Sequence, residues 1–271
     1  MRALDFLQGR CCPRSDPMRG LQNGPATQIP NPLRGEKFSL IEIWHVGKVH
    51  DSCYLPVLGT PFVTTKQLFC LWFVFSCVTV VGVGICIRWL DIPIALFFLA
   101  DRGHFAKLEA GLSGPILAMA ELVLIIGLAI VRMARGSLPE FAKAIFVASC
   151  GSLLAFLAND YGLKFIFGRR IPYKLFHSVP DHVFNFFEGS RHSSFPSGHM
   201  VMATAFGVAL IHLQPRTWPF VLILLCIGAI GLIIGDWHFV GDVIAGAFVG
   251  ATVGLAAGWL WLERVERNGI S

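Results

Sequence analysis

Three stretches of about twenty residues contain no charged side chain, and they constrain the fold of this chain more than any other feature. They cover residues 68–87, 217–235 and 243–262. A helix of roughly 20 apolar residues spans the hydrocarbon core of a bilayer, which is about 30 Å thick. Hydrophobic residues also make up 55% of the chain and charged residues only 14%, which is more apolar surface than one soluble core hides. The sequence therefore predicts an all-α integral membrane protein.

Three weaker apolar stretches complete the predicted spans. They run from about 115 to 131, where Glu121 interrupts the stretch, from about 141 to 158, and from about 200 to 213. Each is apolar over most of a membrane-spanning length. The predicted fold is therefore a bundle of six transmembrane helices.

The N-terminal part of the chain differs in composition from the rest. Residues 1–62 are rich in Pro, Gly, Asn and Arg and lack a long apolar core, so they show no cleavable signal peptide. We predict that they form a disordered cytoplasmic tail. The predicted transmembrane catalytic domain covers residues 63–265.

The positions of the basic residues predict the orientation, because short cytoplasmic loops are enriched in Lys and Arg. With the N-terminus inside, the tail, the second loop, the fourth loop and the C-terminus are cytoplasmic. These segments carry most of the basic residues of the chain. The first loop, with Arg88, Asp91 and their neighbours, and the loop from about 159 to 199 then face outward. The net charge of +5 is explained by topology. No basic stripe alternates with base-stacking aromatics, so we expect no nucleic-acid partner.

Three cations lie where the third span leaves the membrane: Lys164, Arg169 and Arg170. Lys and Arg commonly anchor helix ends at the interface whatever the function. However, Gly168 and Pro172 shape a turn here, and guanidinium and ammonium groups together hold a phosphoryl group well. Both interpretations remain open from these residues alone.

The segment Pro196-Ser197-Gly198-His199 stands at the predicted start of the fourth span. Ser197 is a good N-cap residue whose hydroxyl can also donate to a phosphate oxygen, and Gly198 lets the backbone approach an anion closely. His199 then lies in the first turn beside open N–H groups, which attract anions. The alternative is a capped helix with a solvent-facing histidine.

His238 and Asp242 precede the last span and are four residues apart. On a helix they share one face, so the carboxylate can bind one ring nitrogen and leave the lone pair of the other free to attack. Ionisable residues beside a span are costly without a use. The pair therefore predicts a nucleophile. Asp236 points to a different helical face and is interpreted as an interfacial residue.

The order of these motifs resembles the type 2 phosphatidic acid phosphatase (PAP2) superfamily, which also contains vanadium haloperoxidases. The resemblance is close from about 160 to 250, and the six spans extend it over 66–262. It implies that His238 forms a phosphohistidine, that Asp242 orients His238, and that His199 protonates the leaving oxygen and then activates water. It also assigns Lys164, Ser197 and Gly198 to the phosphate pocket.

The sequence departs from the family pattern at two arginines. After Lys164 and six intervening residues the pattern expects Arg-Pro, but the chain has Ile171-Pro172. In the third motif Ser-Arg is expected where Gly231 and Leu232 stand. Arg169, Arg170 or Arg191 could supply a guanidinium instead, and Gly168-Arg169 resembles the Gly-Arg step of many members. We therefore predict Arg169 as the replacement donor.

The resulting prediction is an integral membrane phosphatase that hydrolyses a lipid phosphate or lipid pyrophosphate at the outer face, in a bacterial inner membrane. Its expected partners are the bilayer and a lipid phosphate substrate, and we expect no metal and no cofactor. Two alternatives remain: a lipid phosphotransferase with the same intermediate, and a non-catalytic membrane protein that binds lipid phosphates.

Overall fold

The computed structural model describes residues 65–99, 113–172, 183–190 and 192–267, so the predicted tail lies outside the described residues. All regular structure in the described part is helical. Five helices are long and apolar enough to cross a membrane, and a sixth is shorter. In chain order the six are α1 (Phe69–Phe98), α2 (Gly114–Arg135), α3 (Glu140–Phe167), α4 (Gly198–Leu213), α5 (Pro215–Ile234) and α6 (Val240–Arg267). This confirms the all-α, six-helix membrane fold.

The first helix is longer than the sequence predicts. Its helical backbone begins at Thr65, four residues before the apolar span Phe69–Phe98, and passes through a π-helical turn at Cys86–Leu90 before it continues as Asp91–Phe98. Asp91 was predicted to lie in the first outer loop, but it lies inside the helix. The helix tolerates this charge because Asp91 is buried and paired with a guanidinium described below.

The third helix also continues beyond its predicted end at residue 158. A π-helical turn at Asn159–Leu163 leads into a last α-helical turn, Lys164–Phe167. Gly168 ends it in the left-handed conformation, at φ 56°, and donates its N–H to the carbonyl of Lys164 at 3.0 Å. Lys164 thus belongs to the helix, and the loop predicted from 159 begins only at Gly168.

Large apolar side chains cover the outside of the bundle, as expected for helices that face lipid. Examples are Phe73 on α1, Val123 on α2, and Phe220 and Leu224 on α5, each more than half exposed. No residue of α2 is buried. Its one carboxylate, Glu121, accepts a hydrogen bond from Ser152 Oγ of α3 at 2.7 Å.

Helices α4 and α6 run parallel and touch through four glycines spaced four residues apart, Gly246, Gly250, Gly254 and Gly258. A Cβ atom added at Gly250 would lie 2.4 Å from the carbonyl oxygen of Val201, and one at Gly254 would lie 2.5 Å from that of Ala205. Only glycine permits such close approach of two backbones. The stripe therefore brings the first turns of α4 and α6 to the same end of the bundle.

A tight turn separates α5 from α6. Its residue Asp236 has φ 55°, and the backbone N–H groups of Trp237 and His238 both donate to the carbonyl of Leu232. This turn reverses the chain after α5. His238 consequently stands just before α6 and not on it, contrary to the prediction that His238 and Asp242 share a helix face.

Candidate active site

The two predicted catalytic imidazoles meet at one end of the bundle. His199 lies in the first turn of α4, and His238 lies immediately before α6. Their ring centroids are 5.6 Å apart, and His199 Nδ1 is 3.4 Å from His238 Nε2. His238 is buried while His199 is half-buried. Two nitrogens at this separation are within reach of a single phosphoryl group.

The backbone of Ser194 determines which nitrogen of His238 carries a proton. His238 Nδ1 lies 3.1 Å from the Ser194 carbonyl oxygen and 3.3 Å from Ser194 Oγ. A carbonyl oxygen only accepts hydrogen bonds, so Nδ1 must be the protonated nitrogen of neutral His238. The lone pair is therefore on Nε2, the nitrogen that faces His199.

Asp242 lies in the first turn of α6 and is completely buried. One carboxylate oxygen, Oδ2, accepts hydrogen bonds from Ser194 Oγ and from the backbone N–H of Phe239. It is 3.9 Å from His238 Nδ1, which is longer than a hydrogen bond. The predicted direct contact of Asp242 with His238 is therefore replaced by a contact through Ser194, because His238 precedes the helix.

Arg169 has a different environment from the predicted one. It is 1% exposed, and its two terminal nitrogens bind Asp91 Oδ2 at 2.7 Å and Asp242 Oδ1 at 2.5 Å. The guanidinium also stacks over the ring of Phe239, 4.1 Å from its centroid. The prediction of Arg169 as a phosphate donor is corrected accordingly, since both ends of its fork are occupied by carboxylates. Arg169 joins α1, α3 and α6 and holds Asp242 in place.

The first turn of α4 and the last turn of α3 form the neighbouring part of the site. Ser197 is the N-cap of α4, as predicted, and its hydroxyl accepts a bond from the N–H of Met200 at 3.4 Å. Lys164 pairs with Asp160 at 2.6 Å. A Cβ added at Gly198 would lie 3.3 Å from Lys164 Nζ. The cation and the open helix start are therefore adjacent, and both attract an anion.

Asn159 connects α3 with this turn. Its side-chain Nδ2 donates to the carbonyl of Pro196 at 3.3 Å, and it is completely buried. It lies at the start of the π-helical turn that also contains Asp160. π-Helical turns are common at functional sites because they redirect side chains within a helix.

The remaining predicted residues are less clearly part of the site. Arg170 is half-buried, and its backbone N–H lies 3.5 Å from the carbonyl of Val183. Arg191 lies outside the described residues. Leu232, where the family pattern expects arginine, is buried in an apolar cluster with Met200, Trp237 and Val243. Asp236 is 1% exposed, so its interpretation as an interfacial residue was wrong.

Four residues of the site were missed in the sequence: Asp91, Asn159, Asp160 and Ser194. Asp91 lies 73 residues before Lys164, the nearest residue of the predicted motifs, so no spacing connects it with the site. Ser194 reaches His238 only through the fold. Within the described ranges, no group of three or more His, Cys, Asp or Glu side chains is arranged to hold a metal ion.

Comparison with known proteins identifies the family of the region that contains this site. No curated protein and no solved structure is significantly similar to the chain. Residues 143–266 match the family model described as PAP2 superfamily. They include both imidazoles, Asp242, Arg169 and Lys164, and of the network described above only Asp91 lies outside them. The match confirms the resemblance of this region of the chain to the PAP2 superfamily.

Proposed function

We propose that the protein is an integral membrane phosphatase that hydrolyses a lipid phosphate or lipid pyrophosphate through a phosphohistidine on His238. The match to the PAP2 superfamily supports a phosphatase-type function. The observation that carries the proposal is the pair of imidazole nitrogens 3.4 Å apart, one of them with its lone pair directed at the other ring. A site that only binds a lipid phosphate has no need of this arrangement.

In the first step, His238 Nε2 attacks the phosphorus atom. A P–N bond forms and the P–O bond to the lipid breaks, while His199 donates its proton to the departing oxygen. In the second step His199, now neutral, takes a proton from a water molecule whose oxygen attacks the phosphorus. The P–N bond breaks, inorganic phosphate leaves and both histidines return to their starting states.

Charge stabilisation in this proposal comes from the junction of α3 and α4. Lys164, the Ser197 hydroxyl and the N–H groups at the start of α4 would hold the non-bridging oxygens. Lys164 pairs with Asp160, so the Lys164 ammonium has a fixed position before the substrate arrives. The arginines expected by the family pattern are absent at Ile171 and Leu232, so Arg170 or Arg191 would have to supply a guanidinium in their place.

The position of the site supports a lipid substrate. His238 lies just before α6, which is long and apolar enough to cross a membrane, and His199 lies at the start of α4, a shorter apolar helix packed against it. The phosphorylated headgroup of a lipid can reach this end of the bundle while the apolar chains of the same lipid remain in the bilayer. The outward orientation of this end, with both termini in the cytoplasm, follows from the positive-inside pattern and is part of the proposal.

The test uses purified full-length protein in vesicles with a panel of phosphatidic acid, phosphatidylglycerol phosphate, a prenyl pyrophosphate and a lipid A phosphate. We expect phosphate release from at least one of them and none from the His238→Asn variant, at unchanged thermal stability. Equal release by His238→Asn would refute the proposal. Transfer of phosphate to an added lipid or sugar alcohol in preference to water would identify a phosphotransferase, and binding without turnover would identify a lipid-binding protein.

A further inference from the structure

We infer that Ser194 is the positioning residue through which Asp242 acts on His238. This inference rests on the proposed function, since it concerns the nucleophile of that same site. Ser194 belongs to none of the motifs that predict the site, and no spacing in the sequence connects it with His238.

The geometry leaves Asp242 without a direct hydrogen bond to the imidazole. The distance from Asp242 Oδ2 to His238 Nδ1 is 3.9 Å, whereas Ser194 Oγ lies between them, 3.3 Å from Nδ1 and hydrogen-bonded to Oδ2. A hydroxyl has one hydrogen and two lone pairs. Because a carboxylate only accepts, Ser194 donates its hydrogen to Asp242 and can accept from the Nδ1–H of His238.

The hydroxyl and the carbonyl of Ser194 thus share one imidazole proton. The carbonyl oxygen, 3.1 Å from Nδ1, fixes the tautomer. Asp242 polarises the O–H bond of Ser194, which makes the hydroxyl oxygen a stronger acceptor for the Nδ1–H. When Nε2 attacks phosphorus, the ring becomes positively charged. The Nδ1–H···Oγ–H···Oδ2 chain stabilises that charge without moving a proton off the ring.

Ser194 is held rigidly enough for this task. It is completely buried, and its backbone N–H donates to the carbonyl of Arg169 at 2.7 Å. Arg169 in turn binds the other oxygen of Asp242 at 2.5 Å. The serine and the carboxylate are therefore fixed by the same residue, which keeps their separation constant.

The experiment compares Ser194→Ala with Ser193→Ala in the full-length protein. Ser193 is the matched control because it is adjacent and buried, and its hydroxyl accepts from the N–H of Ser190 at 2.9 Å. We expect Ser194→Ala to lower kcat by about 10- to 100-fold, the range for loss of one hydrogen bond to a charged group, with KM unchanged and the protein still folded at the assay temperature. Ser193→Ala should keep the wild-type kcat. Equal kcat values for the two variants would overturn the inference, and so would a fall in kcat that is fully explained by a smaller fraction of folded protein.

A double-variant cycle separates this role from an independent contribution. If Asp242 acts through Ser194, Ser194→Ala in an Asp242→Asn background should lower kcat by less than twofold, whereas independent effects would multiply. Should Asp242→Asn fail to fold, the comparison of Ser194→Ala with Ser193→Ala decides alone. The His238→Asn variant distinguishes the two proposals. If it remains active, the proposed function fails, and if it is inactive while Ser194→Ala is unimpaired, only the role of Ser194 fails.

Discussion

Replacement of Gly246 by alanine tests whether close packing of α4 on α6 sets the geometry of the two imidazoles. A Cβ at this position would lie 2.6 Å from the carbonyl oxygen of Ser197 and 3.1 Å from Met200 Cβ. Real Cβ contacts are not shorter than 3.0 Å and are rarely shorter than 3.4 Å. The first turn of α4 must therefore retreat by about half an ångström, because the atom it meets belongs to the backbone.

The displaced turn carries His199, so its distance from His238 changes by a similar amount. A misplacement of about 1 Å can cost around 100-fold in rate, and overpacking costs roughly 1–3 kcal/mol of stability. For half that displacement we expect kcat to fall by about tenfold, together with a lower melting temperature. The assay is phosphate release from the best lipid substrate at saturating concentration.

Gly228→Ala on α5 is the matched control, because a Cβ there would meet no atom within 4 Å. In a helix interior alanine is more favourable than glycine by about 0.5–1 kcal/mol, so this variant should be at least as stable as wild type and equally active. If Gly246→Ala turned over as fast as Gly228→Ala, the glycine stripe would not control the distance between the histidines.

Three further predictions concern the charges and the leaving group. Arg169→Ala should destabilise the protein by about 3–5 kcal/mol because it leaves Asp91 and Asp242 buried without their cation. Arg170→Ala should change the melting temperature little, and the reverse order in thermal unfolding would contradict the assignment. His199→Ala should slow the hydrolysis of ordinary lipid phosphates by at least tenfold but spare that of activated aryl phosphates, whose leaving group needs no proton. Equal losses in the two rates of hydrolysis would exclude an acid role. A chelator should leave phosphate release unchanged, and a rate that required added Mg²⁺ would point to metal-held phosphate.

The sequence predicted the parts of this molecule that depend on local physics. Apolar stretches of membrane length predicted the helices, and Ser197 followed by Gly198 predicted the start of α4. The meeting of His199 with His238 followed from topology, because the two residues lie at the starts of spans that run in the same direction. The glycines from Gly246 to Gly258 also form a repeated G-x-x-x-G spacing, which is typical of closely packed helices.

The charge network could not be predicted, since it depends on distances between remote segments. Asp91 appeared to be a loop residue because the first charge-free stretch ends at residue 87, yet the helix continues through it. Arg169 appeared to be a phosphate donor because a sequence does not show that two carboxylates would lie closer to it. The tight turn before α6 removed His238 from the helix, and this change brought Ser194 between the imidazole and Asp242.

The most direct measurement is to trap the phosphoenzyme. Full-length His199→Ala protein is mixed with a lipid phosphate that carries ³²P, quenched in alkali within milliseconds to seconds, and digested for mass spectrometry. We expect acid-labile, alkali-stable phosphate on His238 and no label in the His199→Ala/His238→Asn double variant. A wild-type enzyme that turns over lipid phosphate while label is found on another residue, or while His238→Asn is labelled equally, would contradict nucleophilic catalysis by His238.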